Sequence, residues 1–327
     1  MPREPVTQIS YGGESINGMG FDHENAWLAV GPNGGGANVI DCNNNFEEII
    51  EFDSTVSTWG WADFTRDNSL VAIYDNDSDD TRIWEVGDAN GNGWNEWTNA
   101  AIPDGNSRYS QWGFSYDNQH IAVHLDDTEL RWGFFEIGGD EPWIEVGSLS
   151  TPEDSRGGYF HPNGYFISTQ RDASIQLLEQ GTWDVLDTNT QMSSIYRVAP
   201  DPTGSPRFLV GAYSDDTHLF EITENEELNV LHTFDTPGDS PGVAWSHTGT
   251  ELYTNSTAEN DRLYSADEPY DLIDDLAGSL GARASGHYSA DNNWLAVGDS
   301  DDDLVTIYDA DLQQAPDVPT DLSAVFV

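Results

Sequence analysis

Apolar and polar positions alternate along this chain in short runs, and nearly every run stops at a cluster of Asn, Asp or Gly. The pattern is clearest near the end. A strand closes on the aromatic Tyr288, Asp291-Asn292-Asn293 form a tight polar turn, and Trp294 to Val297 make a short apolar strand. An acidic turn, Asp299 to Asp303, leads into Leu304 to Tyr308, which alternates again and ends on Asp309. Alternation with β-branched and aromatic residues between such turns predicts antiparallel hairpins. A lone meander of this kind leaves one face unburied, so it needs neighbours.

The neighbours are repeats. The aromatic-plus-turn anchor recurs as Phe21 to Asn25, Phe64 to Asn68, Phe114 to Asn118 and Phe160 to Gly164. It continues in altered form at Ala199 to Gly204 and Trp245 to Gly249, and ends at Tyr288. A second apolar strand follows most anchors, as in Trp27 to Val30 and Leu70 to Ile73. The third strand closes on an aromatic and an acid, as in Trp84-Glu85, Phe135-Glu136, Phe220-Glu221 and Tyr308-Asp309. Seven copies at a spacing of roughly forty to fifty residues match the period of four-stranded propeller blades. In these motifs the chain resembles the WD-repeat and YVTN β-propellers over nearly its whole length. Most repeats lack the Gly-His pair of WD repeats, and only Ile83-Trp84-Glu85 comes close to their tryptophan-acid signature.

The resemblance implies an all-β, seven-bladed propeller with blades at about 18–53, 60–102, 110–150, 156–188, 194–235, 241–278 and 285–310. Val6 to Tyr11 precede the first anchor as Ile49 to Phe52 precede the second. They are expected to be the outer strand of the last blade, closing the ring and removing its exposed edge. The propeller would thus span 1–311. The tail, 312–327, carries Pro316 and Pro319 in a stiff linker and an apolar segment from Leu322 to Val327, and reads either as a competing outer strand or as a docking segment.

Charge narrows the setting. Among 327 residues, 59 are Asp or Glu and 11 are basic, all of them arginine, for a formal net charge of −48. Such a surface repels itself at low ionic strength and is relieved in molar salt, where the Debye length falls to about 3 Å. An acidic, lysine-free surface resembles proteins of extreme halophiles. It also argues against nucleic acid and anionic membranes, which call for a basic footprint. No apolar run reaches the roughly twenty residues of a membrane span, and no signal peptide is visible at Met1 to Pro5. The expected location is a particle surface, or the cytoplasm. The lone Cys42 permits no intramolecular disulfide and reads as a buried thiol.

Three groups of residues are candidates for chemistry. Asp88, Asn90, Asn92, Trp94 (through its carbonyl) and Glu96, with Gly93 at the bend, have the ligand spacing of a calcium loop in the hairpin between the third and fourth strands of blade 2. A metal-free Asn/Gly hairpin is the other reading. Asp75, Asp77 and Asp79 belong to an acidic rim that includes Asp126, Asp172 and Asp261. Most of that rim is expected to do turn work, and this run could hold a second cation. Eight of the 12 tryptophans lie between Trp59 and Trp143. Trp59, Trp61, Tyr109 and Trp112 are expected in or beside loops entering blades 2 and 3, with Arg108, Arg156 and Arg283 in comparable loops. This is a recognition surface for glycan or protein, unless the tryptophans merely plug the core.

No nucleophile elbow, Walker loop or dinucleotide fingerprint is present, and the histidines show no metal spacing. His23, His161 and His247 fall in the turns after anchor aromatics, where a structural role is expected. The expected function is non-enzymatic. One form is a rigid platform on a haloarchaeal virus particle that attaches to a host or decorates the capsid. The other is a cytoplasmic interaction scaffold of a halophile. A propeller lactonase or dehydrogenase is the third alternative, without an inward-facing ligand set to support it.

Overall fold

The computed structural model of the chain describes residues 3–11, 15–32, 36–52, 59–75, 80–97, 102–103, 113–126, 130–137, 143–151, 155–170, 174–192, 194–213, 216–236, 239, 242–258, 261–277, 285–299 and 304–310. They form seven antiparallel sheets, the blades of a propeller. Blade 1 shows the plan: Ile16–Phe21, Trp27–Pro32, Asn38–Asp41 and Glu47–Glu51 pair in chain order from the axis outward. The first strand of every blade packs against the first strand of the next, and Ser285–Tyr288 packs on Ile16–Phe21 to close the circle. Gly18 and Gly31 let blades 1 and 2 meet backbone to backbone. A methyl group at either position would run into the main chain at Gly60 and Trp61.

The last blade closes as the sequence predicts. Thr7–Ser10 lies antiparallel to Leu304–Asp309 in the register Thr7 to Ile307 and Ile9 to Val305. Ile9 and Tyr11 pack on the core shared by blades 1 and 7, and the Tyr11 hydroxyl donates to Asn38 Oδ1 at 2.9 Å. Further back, Arg3 exchanges backbone hydrogen bonds with Asp275 and Ala277 of blade 6, and its buried guanidinium stands 3.7 Å from both Glu251 and Asp274. One short segment therefore ties blades 6, 7 and 1 together. The outer place of blade 7 is thus taken by Thr7–Ser10. The tail from 312 lies outside the described residues.

The anchor turns repeat one device. The residue after the anchor aromatic accepts the amide that opens the second strand: Asp22 from Trp27 at 2.8 Å, Thr65 from Leu70 at 2.9 Å, and Ser115 from His120 at 2.9 Å. Ser246 and Ser289 do the same for Glu251 and Trp294. Each turn needs one residue in the left-handed region, and Asn68, Asn118, Asn292, Gly164, Gly204 and Gly249 supply it with φ from 53° to 84°. Asparagine adds a second function there. Asn68 Oδ1 accepts the His23 amide of blade 1 at 2.8 Å, and Asn118 Oδ1 accepts the Arg66 amide of blade 2 at 2.7 Å, so each turn clasps the one before it. Cys42 is buried between blades 1 and 7, and that burial pushes its thiol pKa up.

Candidate functional site in the axial channel

The clasped turns fix what faces the axis. The second residue after the anchor aromatic is His23 in blade 1, Arg66 in blade 2, Tyr116 in blade 3 and His247 in blade 6. With Tyr159 from blade 4 and His287 from blade 7, they surround the mouth of the channel on the face of these turns. The channel holds there a cavity of about 90 Å3 lined by Arg66, Tyr116, Tyr159, Trp245, His247 and His287.

Arg66 is the hub. Its Nη1 donates to the His23 imidazole at 2.8 Å, and its guanidinium carbon stands 3.9 Å above the Tyr116 ring. Nη2 lies 3.5 Å from the Tyr159 hydroxyl, which in turn donates to Asp63 Oδ1 at 3.2 Å. The other Asp63 oxygen accepts the Phe114 amide at 2.9 Å. Burial pushes the Asp63 carboxyl up to about 6, against the opposing pull of Arg66. Deeper in the channel, the buried Arg197 lies over Trp61 at 4.9 Å, and Trp61 meets His287 at 5.1 Å.

Burial and these guanidinium charges hold the imidazoles neutral. His247 falls to about 4 through burial and Arg66, and His287 to about 3 through burial, Arg197 and His247. His23 drops well below its ordinary value for the same reasons as His247. This is the reverse of a metal centre, where carboxylates and imidazoles converge without a competing cation. Among the described residues no group of three or more His, Cys, Asp or Glu comes together to hold a metal.

The effect on stability follows from the sign of these shifts. An imidazole with a depressed folded pKa takes up protons more readily when unfolded, so its contribution is complete above 6.5 and is lost as pH falls toward 4. Asp63 works the other way, gaining stability as pH drops through about 6, but one carboxyl faces three imidazoles. In molar salt, acidification from about pH 6.5 to about pH 4 is expected to cost a few kcal/mol, with His247→Leu flattening the slope. Thermal melts over that range check this, and a melting temperature independent of pH would contradict it.

The expected cation loops are built differently. Asp88 spends Oδ1 on the amides of Asn90 (2.9 Å) and Asn92 (3.0 Å), and the Trp94 indole packs on Trp27 and Phe52 while donating to the Asp88 carbonyl. Glu96 is turned across the sheet to Arg82, which grips both its oxygens at 2.8 and 2.7 Å. The same guanidinium reaches Asp75 at 3.4 Å. Arg82 thus engages one acid from each expected cluster. Asp77 and Asp79 lie outside the described residues. Asp261 bears out the turn reading of the rim, accepting the Ser256 amide, the Asn255 side chain and the Tyr253 hydroxyl.

The aromatic surface also shifts. Trp61 belongs to no loop: it is buried in Trp59–Phe64 and faces the channel. Arg156 lies within Ser155–His161 rather than before it. The side chains of Trp59 and Arg156, and residues Arg108, Tyr109, Trp112 and Arg283, lie outside the described residues. His161 is structural as expected, accepting the Asn163 amide at 3.1 Å and reaching the Ser205 carbonyl at 3.1 Å. The sequence reading missed Arg66, Tyr116, Tyr159, Arg197 and His287. A signal was present for two of them, since Arg66 and Tyr116 hold the repeat position of His23 and His247.

With the channel assembled from all seven inner strands, comparison with solved structures is direct. The β-propeller domain of Cps50 (Swd1) from Myceliophteria thermophila superposes with a TM-score of 0.71 over 94% of this chain and 99% of that one, at 13% identity. The likeness establishes the fold. No family model matches the sequence, and no curated protein matches it. Among the described residues no helix is long and apolar enough to cross a membrane.

Proposed function

We propose that the protein is a non-enzymatic binding platform, a rigid propeller presenting its loops to a partner in strong brine. The observation that carries this is the closed ring of seven blades. The ring is latched at both sides of blade 7, and the channel imidazoles are neutral beside cations rather than gathered around a metal or nucleophile. A scaffold so held can vary its loops without loss of shape. The charge of −48 without lysine supports a home in concentrated salt. The specific reading is a component displayed on a haloarchaeal virus particle, docked through the tail and recognising a host protein or acidic glycan. Arg108, Tyr109 and Trp112 ahead of blade 3, Arg156 at blade 4 and Arg283 ahead of blade 7 form the recognition face of that reading. The second reading is a cytoplasmic protein-interaction scaffold, a use that the propeller fold also suits.

In molar salt, Arg108→Ala and Trp112→Ala are each expected to weaken attachment to halophile cells about tenfold while leaving the melt unchanged. Equal attachment by both variants and the parent would move the recognition face elsewhere. Fractionation of a producing culture separates the two homes: recovery with purified particles supports display, and recovery only in cell lysate supports the scaffold.

A further inference from the structure

The channel contains an imbalance of charge that packing does not account for. Seven arginines have described side chains, and five of them stand within ion-pair distance of carboxylates. These are Arg3 with Glu251 and Asp274, Arg82 with Asp75 and Glu96, Arg131 with Glu145, Arg207 with Asp201, and Arg262 with Asp275. The other two, Arg66 and Arg197, are the pair in the channel, and among the described residues neither has such a partner. Scarcity of acids is not the reason, because acids outnumber bases 59 to 11.

Both guanidinium groups also keep donors in hand. Arg66 Nε and Arg197 Nη1 are buried without a hydrogen-bond acceptor among the described residues, and Arg197 is only 7% exposed. Stacking on Tyr116 and Trp61 offsets part of the desolvation but uses the faces of the guanidinium planes, leaving in-plane N–H groups unmatched. Asp63 supplies one negative charge and directs its oxygens to Tyr159 and Phe114. With the imidazoles neutral, the two guanidinium groups and Asp63 sum to a net positive charge inside a protein that is strongly negative overall. Buried guanidinium groups are retained where an anion completes them.

We infer that the axial channel is a binding site for a small monovalent anion, a halide or the carboxylate of a small acid, seated against Arg66 in the cavity formed with Tyr116, Tyr159 and His247. The size fits: a cavity of about 90 Å3, open at the mouth, admits bromide or a carboxylate group. Tyr116 and His247 bring hydroxyl and imidazole groups able to donate to an anion. The N–H groups that Arg66 does not spend on His23 and Tyr159 suit a carboxylate oxygen equally well. The same chemistry could arrive as a free ion or as an acidic side chain of a partner entering the mouth, and the test separates the two.

Crystals of the full chain grown in molar potassium bromide are expected to show an anomalous bromide peak within hydrogen-bond distance of the Arg66 guanidinium, lost in Arg66→Met. Should that variant not fold, adding potassium formate to the parent crystals at constant bromide must displace the peak. In solution at matched potassium, the melting temperature in bromide or formate relative to that in glutamate is expected to be higher for the parent than for Arg66→Met, a comparison that cancels the general effect of each salt. Displacement of bromide by a blocked Gly-Asp-Gly peptide assigns the site to a partner's side chain, and its persistence assigns it to the free ion. No bromide at Arg66 in the parent, or the same salt-to-salt differences in parent and variant, overturns the inference.

Discussion

Moved from molar potassium chloride to about 0.1 M, the protein is expected to lose its cooperative melt, the largest change any single condition should produce. A smooth sphere about 25 Å in radius carrying this charge has a repulsive self-energy that grows by tens of kcal/mol between those salts. The screening length lengthens from about 3 Å to about 10 Å over the same range. The unfolded chain bears the same charges further apart and cancels part of that rise. The remainder still competes with a folding free energy of about 5–15 kcal/mol. Compensation within the fold is slight, since only 11 arginines face 59 acids and two of those arginines are turned into the channel. Melts across a potassium chloride series decide the matter. A melting temperature that holds steady down to low salt would remove the case for a halophilic protein.

The second large effect is expected from the latch. A chain lacking residues 1–11 loses the ladder of Thr7–Ser10 on Leu304–Asp309 and the packing of Ile9 and Tyr11. It also loses the pairing of Arg3 with the partly buried Glu251 and Asp274. Backbone hydrogen bonds at about 1 kcal/mol each and two apolar side chains at about 2 kcal/mol each already approach 8 kcal/mol. Leu304–Asp309 would then be an open edge carrying the apolar Val305 and Ile307, prone to pair with another chain. The truncated protein is therefore expected to aggregate, or to melt broadly and at lower temperature in molar salt, and a synthetic peptide of residues 3–11 should restore the sharp transition. Parent-like melting of the truncated chain would show that the ring does not depend on this strand.

The sequence by itself determined the fold, and the reason lies in how local the signals are. An anchor aromatic, a hydroxyl or acid that accepts the amide opening the next strand, and an Asn or Gly in the left-handed region are all set within six residues, so each blade announces itself. Even the latch was legible, because Val6 to Tyr11 stand before Phe21 as the outer strand of blade 1 stands before Phe64. Cross-strand pairing was not legible. Asp88 to Glu96 have the spacing of a calcium loop, but spacing does not reveal that Arg82, opposite on the neighbouring strand, takes Glu96 and Asp75 together. The channel was hidden more completely. Arg66 meets His23 43 residues away and reaches toward Tyr159 93 residues away, because sevenfold rotation brings successive repeats to one axis. A repeat read on its own shows His23, Arg66, Tyr116 and His247 as turn residues. Only closure of the ring makes them neighbours, strips their water and leaves a positive centre in a negative protein.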